Sequence, residues 1–215
     1  MPTRHSSDAP CAVVLVRHGR TATTGKVLPG RAAGLHLSDA GRRQAEAVAA
    51  KIGSLHRTPA AVYASPLERA QETAAPIAKA LHLRVRTSWG LVECDFGDWT
   101  GARLSTLRRR REWRSVQLAP STFRFPRGES FTELQARAWD AVLSLGAQHP
   151  GATVVAVSHA DPIKSVVAAA LGVPLDLFQR TVISTCSVSV VVVGAGAPLV
   201  LCVNALGDLG ELVAS

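Results

Sequence analysis

The sequence predicts an α/β sandwich on a mainly parallel sheet, and three observations lead there. Short apolar runs alternate with segments of helical periodicity along the chain. The runs are continuous rather than alternating apolar and polar, as expected for strands covered on both faces. Three of them end on chemistry-bearing residues, at Arg17-His18-Gly19, at Ala64-Ser65-Pro66 leading to Arg69, and at Ser158-His159-Ala160-Asp161. In open α/β sheets ligands bind beyond the carboxyl ends of the strands, so these three ends are the places to look for a site.

Residues 12–16 form the first unbroken apolar run, hence the first strand. Ser38-Asp39-Ala40-Gly41 opens RRQAEAVAAKIGSL, whose Ala, Val and Ile recur on one helical face. AAVYAS is a second short strand, and PLERAQETAAPIAKAL a second helix with Pro66 expected near its first turn. RVRTSWGLVE reads as extended, and residues 129–148 as a long helix. ATVVAVS is another strand running straight into the helix DPIKSVVAAAL, with Asp161 as expected N-cap and Pro162 at the first helical position. TVISTCSVSVVVV and PLVLCVNAL, separated by GAGA, read as a terminal strand pair. No repeat, low-complexity tract or linker interrupts this pattern. The expectation is one domain over residues 1–215, with residues 1–10 a flexible N-terminus.

Composition narrows the classes. A chain of 215 residues that is 47% hydrophobic can bury a substantial core and is not disordered. Its net charge of +8 favours an anionic partner. The four cysteines, Cys11, Cys94, Cys186 and Cys202, show neither metal-ligand spacing nor a disulfide framework. The first ten residues lack the apolar core of a signal peptide, and the late apolar stretch Val188–Val193 is too short to span a bilayer. A cytoplasmic protein with no membrane attachment is expected.

If the three strands are parallel neighbours, their ends share one edge and bring His18, Arg69 and His159 together. An arginine beside a histidine at a strand end suits an anion better than a plain chain turn.

RHGRT, SPLERAQET, LVECDFGDWTG, FPRGES and VSHADPIK follow one another from residue 13 to about residue 164. In this order they resemble the histidine phosphatase superfamily, in the branch that includes cofactor-dependent phosphoglycerate mutases. The resemblance implies a three-layer α/β/α sandwich, phosphoglycerate mutase-like, and agrees with the independent reading of strands and helices. It makes His18 the nucleophile that forms a transient phosphohistidine, which needs a neutral ring with one nitrogen free. Arg17 and Arg69 would bind phosphoryl oxygens with their planar forks. His159 would add a donor, as imidazolium, and Glu93 would protonate the leaving oxygen. Asp95 and Asp98 are rivals for that last role, although Asp98 suits the turn around Gly97.

The chain departs from the family at two points. Thr24 stands where many members have asparagine; its hydroxyl can still donate to phosphate. Ala160-Asp161-Pro162 replaces the usual glycines, leaving the Ala160 N–H as a phosphate donor and Asp161 as a capping residue.

Glu93 is followed by Cys94-Asp95-Phe96-Gly97-Asp98-Trp99, unlike the basic residue and Tyr-Gly-x-Leu pattern of the mutases. A phosphatase is therefore favoured over a phosphomutase. A non-catalytic phospho-ligand or nucleic-acid binding module is a third reading, with the run Arg108 to Arg111 its main support and a solvated helix face the plainer account. The expected partner is a small phosphorylated metabolite, without metal or cofactor; nucleic acid is disfavoured. Residues 25–36 and 101–127 are expected to roof the pocket, with Gly30, Arg31 and the arginines near Trp113 meeting a second polar or anionic group. The edge strands near the C-terminus offer a surface for a homodimer.

Overall fold

The computed structural model describes residues 9–207. Six strands, β1 (Cys11–Arg17), β2 (Ala61–Ala64), β3 (Val85–Thr87), β4 (Thr153–Ser158), β5 (Val188–Val193) and β6 (Leu199–Ala205), form one sheet in the order β3-β2-β4-β1-β5-β6. The first four are mutually parallel, while β5 runs antiparallel to β1 and β6 antiparallel to β5. The helices are α1 (Asp39–Gly53), α2 (Glu68–Ala80), α3 (Leu104–Leu107), α4 (Glu112–Leu118), α5 (Phe131–Gln148) and α6 (Ala160–Ala170).

Side chains alternate across each strand, so β1 feeds two cores. Ala12, Val14 and Val16 pack with α1 and α2, through residues such as Val48, Ile52 and Ile77. Cys11, Val13 and Leu15 pack on the other face with α5 and α6, against Val142, Ile163 and Val166. This double cover is why the strand is apolar without interruption, and it makes the three layers. A third apolar cluster lies apart, built from residues 94–134 with Phe178, and forms a cap. Ser38 caps α1 by accepting from the Gly41 N–H, and Ser130 with Glu133 closes a capping box on α5.

Several boundaries differ from expectation, each for a local reason. RVRTSWGLVE is extended only over β3; Trp89–Leu91 forms a 3₁₀ turn. Gly90 sits so close to α5 that a Cβ there would lie 2.4 Å from the Ala141 Cβ, and the turn brings the backbone to that contact. Pro66 precedes α2 rather than entering its first turn, since Leu67 is the N-cap. Helix α5 starts at Phe131, not at residue 129. Residues 181–187 are not strand: the Cys186 N–H donates to the Arg17 carbonyl, and Ile183 receives the Arg17 side chain. Asp161 does not cap α6, because His159 remains extended as the N-cap and the helix begins at Ala160, which puts Pro162 at the third helical position, two later than expected. No helix among the described residues is long and apolar enough to cross a membrane. The flexible N-terminus expected over residues 1–10 lies outside the described residues except at Ala9 and Pro10, and the Ala9 carbonyl accepts from the Gly151 N–H.

Candidate active site

The parallel pairing of β1 and β4 places Arg17 level with Ser158, so the residues that follow emerge together at the sheet edge. The His18 N–H donates to the Ser158 carbonyl (2.9 Å), and the rings of His18 and His159 stand 5.1 Å apart, centroid to centroid. Gly19 then passes against the start of α1, where a Cβ would lie 2.6 Å from the Gly41 carbonyl oxygen. Its N–H donates to Thr73 Oγ1 (3.0 Å), and that hydroxyl donates to the Arg69 carbonyl (2.7 Å). Thr73 thus ties α2, and Arg69 with it, to the loop carrying His18.

His18 Nδ1 lies 2.7 Å from the Gly19 carbonyl oxygen. The carbonyl can only accept, so Nδ1 carries the proton and Nε2 keeps its lone pair. Burial, with Arg69 and Arg17 nearby, pushes the His18 pKa down to about 3, so the ring is neutral near pH 7.

Around it, buried donors converge from three elements. Arg17 gives Nη1 to the Ile183 carbonyl (2.6 Å), and Arg69, wholly buried, gives Nη2 to the Gly30 carbonyl (2.8 Å). His159 Nε2 pairs with Ser65 Oγ (2.8 Å). Arg17 Nε, Arg69 Nε and Nη1, and His159 Nδ1 have no hydrogen-bond partner among the described residues. Leaving one buried donor unpaired costs about 1–3 kcal/mol, so four close to one histidine mark a place built for an anion. The N-terminus of α6 adds to the field there, with Ala160 lining the same cleft. His159 was expected as imidazolium, but burial, then Arg69, His18 and Arg17, hold its pKa well below the usual range. A neutral ring still serves in the tautomer in which the Ser65 hydroxyl, itself accepting from the Leu67 N–H (3.4 Å), donates to Nε2 and leaves Nδ1–H to donate.

Glu93 is buried in the cleft wall and its Oε1 accepts from the Cys94 N–H (2.9 Å). Burial first, then the Asp161 carboxylate, push its pKa up to about 7, against the lowering pull of Arg69 and Arg17. It is therefore a carboxyl group able to give and take a proton near neutrality.

The structure groups Arg17, His18, Thr24, Glu93 and Ala160 along one cleft, with Arg69 and His159 buried beside His18. It does not place Gly30 or Arg31 on the cleft lining. Gly30 instead holds Arg69 through its carbonyl. Arg31 donates Nε to the Glu93 carbonyl (2.8 Å) and Nη2 to Glu129 (3.0 Å), while Glu129 also receives Arg137 Nε and Nη2 (both 2.9 Å). Arg31 therefore positions the proton-bearing segment. Thr24 lines the cleft, but its Oγ1 already accepts from the Thr21 N–H (2.9 Å). Asp95, not Asp98, serves the turn at Gly97, whose N–H it accepts (3.0 Å); Asp98 pairs with Arg127.

Sequence reasoning missed Thr73, Glu129 and Arg137 and gave Ser65, although it ends a strand, no partner; each meets a residue far along the chain. It also turned Asp161 away from the site. Asp161 lines the cleft, 3.4 Å from Lys164 Nζ, which in turn donates to Gln179 (2.9 Å). Of the arginine run, Arg108 lines the cleft, while the run as a whole is an exposed turn between α3 and α4 rather than a helix face.

The family model for the histidine phosphatase superfamily (branch 1) matches residues 13–206, and the chain belongs to that superfamily. The fold is that of its phosphoglycerate mutase-like phosphatases. A bifunctional protein of Mycobacterium tuberculosis is 34% identical over 93% of the chain, which spans only 55% of that protein's length. Phosphoserine phosphatase 1 of Hydrogenobacter thermophilus is 30% identical, covering 93% of this chain and 94% of its own. A mycobacterial glucosyl-3-phosphoglycerate phosphatase superposes with a TM-score of 0.79 at 27% identity, over 91% of this chain and 99% of its own.

Proposed function

We propose that the protein is a metal-independent phosphatase that hydrolyses a small phosphomonoester through a phosphohistidine on His18. The observation that carries this reading is the set of unpaired buried donors on Arg17, Arg69 and His159 around a neutral His18. Phosphoryl transfer needs positioning and charge neutralisation above all, and two guanidinium groups with a helix N-terminus supply both.

In the first step His18 Nε2 attacks phosphorus while the ester P–O bond breaks. The leaving oxygen takes the proton of Glu93, so an alcohol departs instead of an alkoxide. In the second step the Glu93 carboxylate takes a proton from water, and the resulting hydroxide oxygen bonds to phosphorus. The N–P bond breaks, its electron pair returns to Nε2, and phosphate leaves with Glu93 protonated again. Phosphatase relatives and the absence of the mutase pattern after Glu93 support hydrolysis over transfer to a second substrate hydroxyl. A location in the cytoplasm belongs to the same reading, in keeping with four free cysteines.

The test is release of phosphate from p-nitrophenyl phosphate with a chelator present, by wild type and His18→Ala. Activity that resists the chelator and falls at least about 1,000-fold in the variant is expected. Full activity of His18→Ala, or loss of wild-type activity on chelation, would overturn it.

A further inference from the structure

The cleft that His18 and Glu93 line has a volume of about 270 Å³ in all and also reaches residues of the cap. The far wall is apolar: Phe96, Val116, Phe125 and Phe131 are buried, with Leu28 and Trp113 beside them. Only 5% of the chain is aromatic, yet all five phenylalanines and two of the four tryptophans belong to this one cap cluster or pack on it. Edge-to-face contacts fix the wall, with Phe96 and Phe125 4.9 Å apart and Phe125 and Phe131 5.2 Å apart. Trp113 is held nearly parallel to Trp99, at 22°. A rigid wall of this kind receives a ring or a branched hydrocarbon without first having to order itself.

Two of the cations that could receive a second acidic group, Lys164 in the cleft lining and Arg31 behind it, already have partners. Lys164 is engaged by Asp161 and Gln179, and Arg31 by Glu129 and the Glu93 carbonyl. Asp161 adds a negative charge to the wall at the first turn of α6, next to the residues that flank the phosphoryl site. A substrate carboxylate entering there would meet like charge and compete with the Lys164 pair. Arg108 is exposed and shared with a neighbouring cleft, so its charge is solvated and screened.

Resting on the phosphatase reading, we propose that the substrate is a phosphomonoester of an uncharged, apolar, ring-sized alcohol, not a small acid such as phosphoserine or phosphoglycerate. The phosphoryl group sits at His18 and the ring lies against Phe96, Phe125 and Trp113. A cleft of about 270 Å³, just below the roughly 300–1,000 Å³ of small-molecule sites, has room for a phosphoryl group and one such ring and little more.

The test compares kcat/KM for benzyl phosphate, phosphoserine and 3-phosphoglycerate, all esters of alkyl alcohols. Leaving-group acidity then does not decide the ranking. Benzyl phosphate should lead the two acids by about tenfold or more, the effect of burying one ring face. Trp113→Ala should narrow that ratio and Trp113→Phe should keep most of it, while Asp161→Asn should raise turnover of the acids relative to benzyl phosphate. If either acid is turned over as well as benzyl phosphate, the substrate proposal fails while the phosphatase reading stands. If p-nitrophenyl phosphate and the whole panel are left intact, the phosphatase reading itself fails.

Discussion

Glu93→Gln should make the protein more stable at about pH 8 while removing most of its activity on alkyl esters. Burial and Asp161 raise the Glu93 pKa from 4.5 to about 7. Between those values the folded state binds a proton that the unfolded state has lost, so stability falls as pH rises through this window. Above both values the full difference applies, roughly 3 kcal/mol against folding. Glutamine carries no charge to desolvate and escapes it. Relaxation around the carboxylate reduces the effect, so a gain of about 1–3 kcal/mol is expected. Below about pH 4.5 the carboxyl is protonated in both states and the advantage vanishes. The low pKa of His18 acts in the opposite direction on acidification, but equally in both proteins, and cancels in the comparison. Urea denaturation of wild type and variant at about pH 8 and pH 4 reads the difference. A variant less stable at pH 8, or equally stabilised at both pH values, would refute the reasoning.

Three further perturbations probe the same site. Asp161→Asn removes a charge that holds the Glu93 proton and leaves Lys164 with only Gln179 as partner, so the alkaline limb of kcat/KM should move down by about one pH unit. Comparison with wild type on the same ester removes the substrate's own titration. Thr73→Val deprives the Gly19 N–H of its acceptor and should cost about 1–3 kcal/mol by denaturant titration, with kcat falling as His18 loosens. Arg31→Ala frees the Glu93 backbone and should slow esters of poor leaving groups more than p-nitrophenyl phosphate; an equal loss on both would deny it a positioning role.

What the sequence made legible follows from the range of each interaction. The double-covered strands and the residues at their ends could be read because burial writes itself into continuous apolar runs. His18, Arg69 and His159 meet because β1, β2 and β4 are parallel neighbours, which alternating strands and helices already implied. Gly30 and Arg31 read as substrate contacts in the sequence because an arginine in a loop near the site carries no local mark of its partner. Its partners, the Glu93 carbonyl and Glu129, lie 62 and 98 residues away. Asp161 misled for a related reason. Asp-Pro before a helical run is a sound capping signal, but His159 stays extended in order to reach Ser65, so the helix starts at Ala160 and Asp161 turns toward the cleft. The aromatic wall was invisible because its members are spread from Phe96 to Phe178 and only the cap gathers them.

The central claim is that His18 itself carries the phosphoryl group. Rapid acid-free quenching of p-nitrophenyl phosphate turnover, in which the leaving group needs no proton from Glu93, followed by peptide mass spectrometry, tests it directly. The account predicts an acid-labile phosphoryl group on the peptide containing His18, formed within one turnover, accumulating further in Glu93→Gln, and absent from His18→Ala. A phosphoryl group on another residue, or turnover by wild type with no phosphoenzyme in either the wild type or Glu93→Gln, would contradict it.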